Sequence, residues 1–307
     1  MSLKLGDKNH KGKLFEKFIV PPFSILDSKQ KYWKDGKSKW DKYNIKSELG
    51  RTTSGVNTFE DLHTHPRNAD TSKAIAKVGS RSIFDPFLTE IMYRWFCPDY
   101  GKILDPFAGG SVRGIVANEL GYLYDGIELR EEQVKENKKQ VNKNALTKPN
   151  WIIGDSFNIN KLTDKQYDMI FSCPPYYNLE VYSDEKGELS NMETYEEFIN
   201  RYKQIVKSCV NKLKNNRFAV FVVSDVRDKD GFYRNFVGDT KTAFIEAGMK
   251  LYNDIIFLTA IGGLPLRVGI PMASYRKVGR AHQNILVFYK GDIKQIKQDF
   301  SQKVNKE

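Results

Sequence analysis

Apolar residues along this chain fall into two alternating kinds of run: short, mostly unbroken ones, and longer ones spaced at three and four positions. The short runs lie at 103–104, 123–127, 151–153, 167–171 and 218–223, the second interrupted by Asp125-Gly126 and the fourth by Asp168. Between them Ile115, Val116 and Leu120, then Val134 and Val141, mark helices with polar outer faces. Alternation of this kind predicts β–α–β crossovers and a mostly parallel sheet with helices on both faces, an α/β fold. Upstream, Phe87, Ile91, Met92, Trp95 and Phe96 form one helical face. That helix is expected to start at Ser82 or Asp85, with Pro86 in its first turn. Downstream, Thr194 and Glu197 read as a capping box for a long helix that buries Phe198, Tyr202, Ile205, Val206, Cys209 and Leu213. Residues 251–259 and 284–289 read as two final strands.

The first short run opens the stretch that carries the chemistry, Ile103-Leu104-Asp105-Pro106-Phe107-Ala108-Gly109-Gly110-Ser111. It predicts a buried strand, a tight glycine turn and a helix start. Gly109 and Gly110 let the backbone approach a ligand, Ser111 is placed to cap the helix, and free N–H groups there would face the ligand. Alone, the turn is equally compatible with an ordinary β–α connection. The next strands add to it: the second ends on Glu128 and the third on Asp155, while the fourth runs through Ser172 into Cys173-Pro174-Pro175-Tyr176-Tyr177. An acidic residue after the second strand of such a sheet is well placed for a ribose hydroxyl pair.

With Asp-Pro-Phe-Ala-Gly-Gly at 105–110 and Cys-Pro-Pro-Tyr at 173–176, residues 81–290 resemble the S-adenosylmethionine-dependent DNA methyltransferases that modify adenine N6 or cytosine N4. The resemblance implies a Rossmann-like methyltransferase fold: a mostly parallel seven-stranded sheet with an antiparallel C-terminal hairpin. It implies S-adenosyl-L-methionine as cofactor and double-stranded DNA as partner. Phe84, Asp105, Phe107, Gly109, Gly110 and Ser111 would serve the donor's amino-acid end, Glu128 its ribose and Asp155 its adenine. Cys173, Pro174, Pro175 and Tyr176 would form the catalytic loop, with the Pro174 carbonyl accepting from the target amine and Tyr176 stacking on an extruded base. Two positions depart from the family pattern. Ser111 stands where a further glycine is usual, and Cys173 stands where adenine enzymes carry Asp or Asn and most cytosine-N4 enzymes Ser. A thiol approximates a serine hydroxyl in size, so the position leans toward cytosine without fixing the base. Cys173 as a nucleophile on cytosine C5 is disfavoured, because that class places its cysteine after a proline. RNA or protein acceptors, and a catalytically silent nucleic-acid binder, remain as alternatives.

Composition adjusts this picture at the edges. A formal charge of +11 and a pI near 9.3 suit a polyanionic partner. Within 260–282, Arg267, Arg276, Lys277 and Arg280 occur with no acidic residue, so this segment reads as a basic loop for the DNA backbone. Residues 1–80 form a lysine-rich extension in which Tyr32, Trp33, Trp40 and Tyr43 are expected to pack on the catalytic domain, residues 81–292. The lysine-rich tail 293–307 is expected to fray. Glu180, Asp184, Glu185 and Glu188 mark an acidic, mobile loop. Three scattered cysteines indicate neither disulfides nor zinc, and His63 and His65 lack further ligands, so no metal is expected. Without a signal sequence or an apolar run of membrane-spanning length, the cytosol is the expected compartment and no membrane partner is expected.

Overall fold

The computed structural model describes residues 8–45, 84–142, 144–177, 189–259, 262 and 264–305. Ser82, His63, His65 and the acidic loop at 178–188 lie outside them. Apart from single-turn pieces, the elements are α1 (Lys8–Phe18), β1 (Ile25–Asp27), α2 (Lys31–Ser38), α3 (Pro86–Phe96), β2 (Lys102–Asp105), α4 (Val112–Leu120), β3 (Leu123–Glu128) and α5 (Glu131–Lys139). They continue with β4 (Asn150–Ile153), β5 (Tyr167–Ser172), α6 (Tyr195–Lys212), β6 (Leu213–Val223), α7 (Phe236–Glu246), β7 (Lys250–Leu258), α8 (Gly269–Tyr275) and β8 (His282–Lys290).

The strands form one sheet in the order β1-β7-β8-β6-β5-β2-β3-β4, parallel except for β8, which runs antiparallel to β6 and β7. From β2 the chain steps outward to β3 and β4, then returns to the other side of β2 as β5 and continues to β6. The reversal between β2 and β5 is the switch point at which doubly wound, Rossmann-like sheets open a crevice at their strand ends. Side chains alternate across the sheet as the pleat requires. Ile103, Met169, Phe171, Val220 and Val222 join the core beneath α2, α3 and α4. Leu104, Ile170, Ala219, Phe221 and Val223 join the one beneath α6 and α7.

The sheet has eight strands rather than the seven expected, because β1, from the N-terminal extension, adds parallel to β7 through Ile25↔Ile256 and Leu26↔Phe257. Three residues with one buried side chain are too short a pattern to register as a strand in the sequence. The extension's tryptophans do pack on the domain. Trp33 Nε1 donates to Asp85 Oδ2 at 3.0 Å and Trp40 Nε1 to Glu90 Oε2 at 2.9 Å, both acceptors lying at or in α3. Asp85 also caps α3 through the N–H groups of Phe87 and Leu88, with Pro86 following it. The capping box of Thr194 and Glu197 starts α6, which buries the expected residues through Cys209 and Val210 besides; Leu213 instead opens β6.

Two further expectations change. The tail folds back instead of fraying: Phe300 packs on Phe218 with ring centroids 5.1 Å apart, and the Asn305 N–H donates to the Lys17 carbonyl. The segment expected to be a basic loop contains two helices, Leu264–Arg267 and α8, because Leu264, Leu266, Ile270 and Met272 favour helix more than its glycines oppose it. No helix among the described residues is long and apolar enough to cross a membrane.

Candidate methyl-transfer site

Asp105 ends β2 at full burial, and a carboxylate so placed requires partners. Its Oδ1 accepts from the Phe107 N–H at 3.2 Å and from Ser172 Oγ at 2.6 Å. Its Oδ2 accepts from Arg113 Nε at 2.6 Å and from Tyr124 OH at 2.7 Å. Arg113, in the first turn of α4, then donates through one terminal nitrogen to the carbonyls of Phe107 and Ala108 at 2.6 and 2.9 Å. Burial disfavours the Arg113 charge, but Asp105 outweighs it and holds the guanidinium above its ordinary pKa. Burial and the same carboxylate push the Tyr124 phenol well up. The glycine turn is therefore gripped from inside by a charged pair. Ser172, the residue before Cys173, ties the other loop to the same anchor.

Around this anchor the candidate residues fall into two groups. Phe107, Gly109, Gly110, Glu128 and Asp155 are half-buried at the carboxyl ends of β2, β3 and β4, where a ligand can reach them. Asp105 and Ser111 are fully buried. Ser111 holds the N-cap position of α4, yet it does not cap the helix as expected. Its backbone is already helical (φ −77°, ψ −14°), which turns the hydroxyl away from the N–H groups it would bond, and it reaches Gln140 Oε1 instead. Phe84 lies under the Arg113 guanidinium, 4.8 Å from it, and edge-on to Phe171. Gly109 adopts φ +52°, and a Cβ there would meet no heavy atom within 4 Å, so open space flanks the turn. Beside it Glu128 accepts from the Gly109 N–H at 2.9 Å and the Arg130 N–H at 3.0 Å.

Asp155 caps a short helical turn by accepting from the Phe157 N–H, and its second oxygen pairs with Arg201 of α6. The Arg201 guanidinium lies 4.3 Å over the Phe157 ring, at the edge of a cleft of about 530 Å³ lined by Phe157, Met192, Glu193 and Glu197. Neither Arg113 nor Arg201 was singled out in the sequence. A lone arginine in the otherwise apolar start of α4 was the available signal for the first; Arg201 pairs across 46 positions and left none.

Cys173, Pro174, Pro175 and Tyr176 leave the sheet beside Asp105. Pro174 is buried, Cys173 and Pro175 half-buried, and Tyr176 is 7 % exposed with its ring edge-on to Phe236 at 5.7 Å. Tyr177 donates to the Glu193 carbonyl and carries the Arg234 guanidinium over its ring at 4.8 Å. Of the basic residues expected to meet DNA, Arg276 is exposed and Lys277 half-buried near Tyr275. Arg280 is held inward by the His282 carbonyl, Asn284 and Asp225. The side chain of Arg267 lies outside the described residues. Among the described residues no cluster of His, Cys, Asp or Glu is arranged to hold a metal ion.

A glycine turn with open space beside it, acidic residues closing the next two strands and a proline-pair loop across the switch point fit the shape and charge of S-adenosylmethionine. The doubly wound sheet, together with the family match that follows, supports an S-adenosylmethionine-dependent methyltransferase. Residues 167–307 match the family model of the N6/N4 type described as DNA methylase. No curated protein matches the sequence significantly. Similar solved structures include TrmN from Thermus thermophilus (13 % identity, 71 % of this chain, 53 % of that one, TM-score 0.47). They also include a methyltransferase from Pyrococcus furiosus (19 % identity, 72 % and 95 % covered, TM-score 0.44). An rRNA methylase from Streptococcus thermophilus is a third (8 % identity, 69 % and 100 % covered, TM-score 0.44). The chain spans about half the length of TrmN.

Proposed function

We propose that the protein transfers a methyl group from S-adenosylmethionine to an exocyclic amino nitrogen, cytosine N4 or adenine N6, of a base turned out of duplex DNA. The observation that carries this reading is the tie from Ser172 to Asp105, which holds the glycine turn and the Cys173-Pro174-Pro175-Tyr176 loop at one switch point. When bound, the donor supplies an electrophilic methyl on a sulfonium, so the protein's task is placement of a nitrogen lone pair in line with it.

Phe107, Gly109 and Gly110 shape the turn around the donor's amino-acid end, while Asp105 and Phe84 act from behind it by fixing the turn. Glu128 keeps acceptor capacity for ribose hydroxyls, since among the described residues each of its oxygens accepts one backbone N–H, with the Arg130 guanidinium paired alongside at 3.4 Å. Asp155 meets the adenine amino group once Arg201 yields its place over Phe157. Across the crevice the Pro174 carbonyl accepts from the target amine and returns electron density to its nitrogen. Tyr176 offers a ring face to the base, which must leave the duplex to reach it. The basic segment around Arg276 and Lys277 meets the phosphates.

Incubation with methyl-labelled donor and, in parallel, mixed-sequence duplex DNA, total RNA and a protein extract tests the acceptor. Label in DNA supports the reading; label confined to RNA or protein overturns it.

A further inference from the structure

Between β6 and α7 the chain makes a small antiparallel hairpin that none of the roles above uses. Arg227 pairs with Tyr233 as an isolated bridge, and the Asp228 N–H donates to the Phe232 carbonyl at 2.8 Å. The Asp228 carboxylate accepts from the N–H groups of Asp230 and Phe232, at 3.0 and 2.9 Å, and so braces the turn. Those bonds, that from Phe232 first, hold the Asp228 carboxyl below its ordinary pKa, so the brace persists at neutral pH. The Arg227 guanidinium lies 4.0 Å over the Tyr233 ring and stiffens the stem.

Beside the turn at the end of this stiff hairpin Phe232 is 73 % exposed, an aromatic presented to solvent on a preorganised support. The stem grows out of the pocket loop's own surroundings. Val226 and Phe236 share a core with Tyr176, and Arg234 stacks on Tyr177 and Tyr195. From Phe232 to Phe236 the chain spans at most ~14 Å, and the Phe236 ring is 5.7 Å from Tyr176. That reach compares with the ~12 Å width of a duplex major groove. Basic groups frame the tip. Lys229 is exposed beside it, and the Lys277 ammonium sits so close to Gly231 that a Cβ there would meet it at 2.0 Å. Of the hairpin's acids, Asp228 is spent on the turn and Asp225 on Arg280 and the Val237 N–H, while Asp230 stays exposed in the turn between Lys229 and Gly231. Phosphates flanking an inserted ring would meet Lys229 and Lys277, with the Asp230 carboxylate pointing the contact to one side of the turn or the other by repulsion.

We propose that Phe232 is a wedge that enters the base stack of duplex DNA and holds the target base out of it, a positioning role that rests on the DNA reading above. Apolar side chains inserted between base steps unstack them and bend the duplex, and a rigid, aromatic, lysine-flanked hairpin tip is built for that insertion.

The test compares wild type, Phe232→Ala and Phe232→Leu for methyl transfer to mixed-sequence duplex DNA and to the same DNA denatured to single strands. The wedge role predicts that Phe232→Ala loses about tenfold or more on duplex and stays close to wild type on single strands, where no stack has to be opened. It also predicts that Phe232→Leu retains most duplex activity and that all three proteins bind S-adenosylhomocysteine alike. Equal duplex activity for Phe232→Ala and wild type overturns the wedge and leaves the DNA reading standing; so does an equal loss on both substrates. A change in oligomeric state on Phe232→Ala with duplex activity intact makes the tip a protein contact and likewise overturns it. Wild type inactive on both forms of DNA, with label going elsewhere, removes the DNA reading itself.

Discussion

Four hydrogen bonds converge on the Asp105 carboxylate, and removing it strands the Arg113 charge in a buried site. Asp105→Ala is expected to destabilise the fold by about 3–5 kcal/mol, read by denaturant unfolding, with S-adenosylhomocysteine affinity lost in parallel because the turn loses its grip. The reaching residues behave differently. Glu128→Ala should weaken donor binding by about tenfold or more, the worth of hydrogen bonds to a charged group. Tyr176→Ala should leave that affinity near wild type and lower transfer by about 10²-fold or more. Calorimetry with S-adenosylhomocysteine beside a transfer assay separates the two. Both variants failing only in DNA binding would contradict this division. The sequence marks Asp105 by its place before the glycine turn, but not what it does there. Its hydrogen bond to Ser172 crosses 67 positions, and nothing local to either residue announces it.

Among the elements, α2 rests on α3 through a contact that tolerates no added atom. A Cβ on Gly36 would fall 2.3 Å from the Phe87 ring, which is itself buried and has nowhere to go. Gly36→Ala is therefore expected to cost about 1–3 kcal/mol by overpacking, seen as a lower thermal midpoint and faster proteolysis near residues 28–45. An unchanged midpoint would mean that the extension does not contribute to stability as docked. Elements with a strong periodic face or a cap were legible: α3 from Asp85-Pro86 and its apolar face, α6 from Thr194 and Glu197, and the strands of the parallel half from their short, mostly apolar runs. The eighth strand was not, because a short edge strand gains its hydrogen bonds from β7, 230 positions away in the ladder that Ser28 closes. Helix replaced loop at 264–275 for a related reason. Glycines and basic residues suggest an open loop when counted, whereas local helix propensity acts through their apolar neighbours.

At the scale of the whole molecule, a charge of +11 is a statement about association rather than fold. DNA affinity is expected to fall steeply with salt. Replacing Arg276 and Lys277 together by alanine should reduce the slope of log affinity against log salt by about 2, roughly 0.9 for each phosphate contact removed. A filter-binding or anisotropy titration at several salt concentrations reads it, and an unchanged slope would move the phosphate-contacting surface elsewhere. Arg280 is excluded from that test because the fold already uses it. The central claim is that the glycine turn and the proline-pair loop serve a single reaction on an amino group of a DNA base. The most direct measurement is mass analysis of nucleosides from duplex DNA incubated with the protein and S-adenosylmethionine. The prediction is N4-methylcytosine or N6-methyladenine, absent with Tyr176→Ala; 5-methylcytosine, or DNA left unmodified while the donor is consumed on RNA, would contradict it.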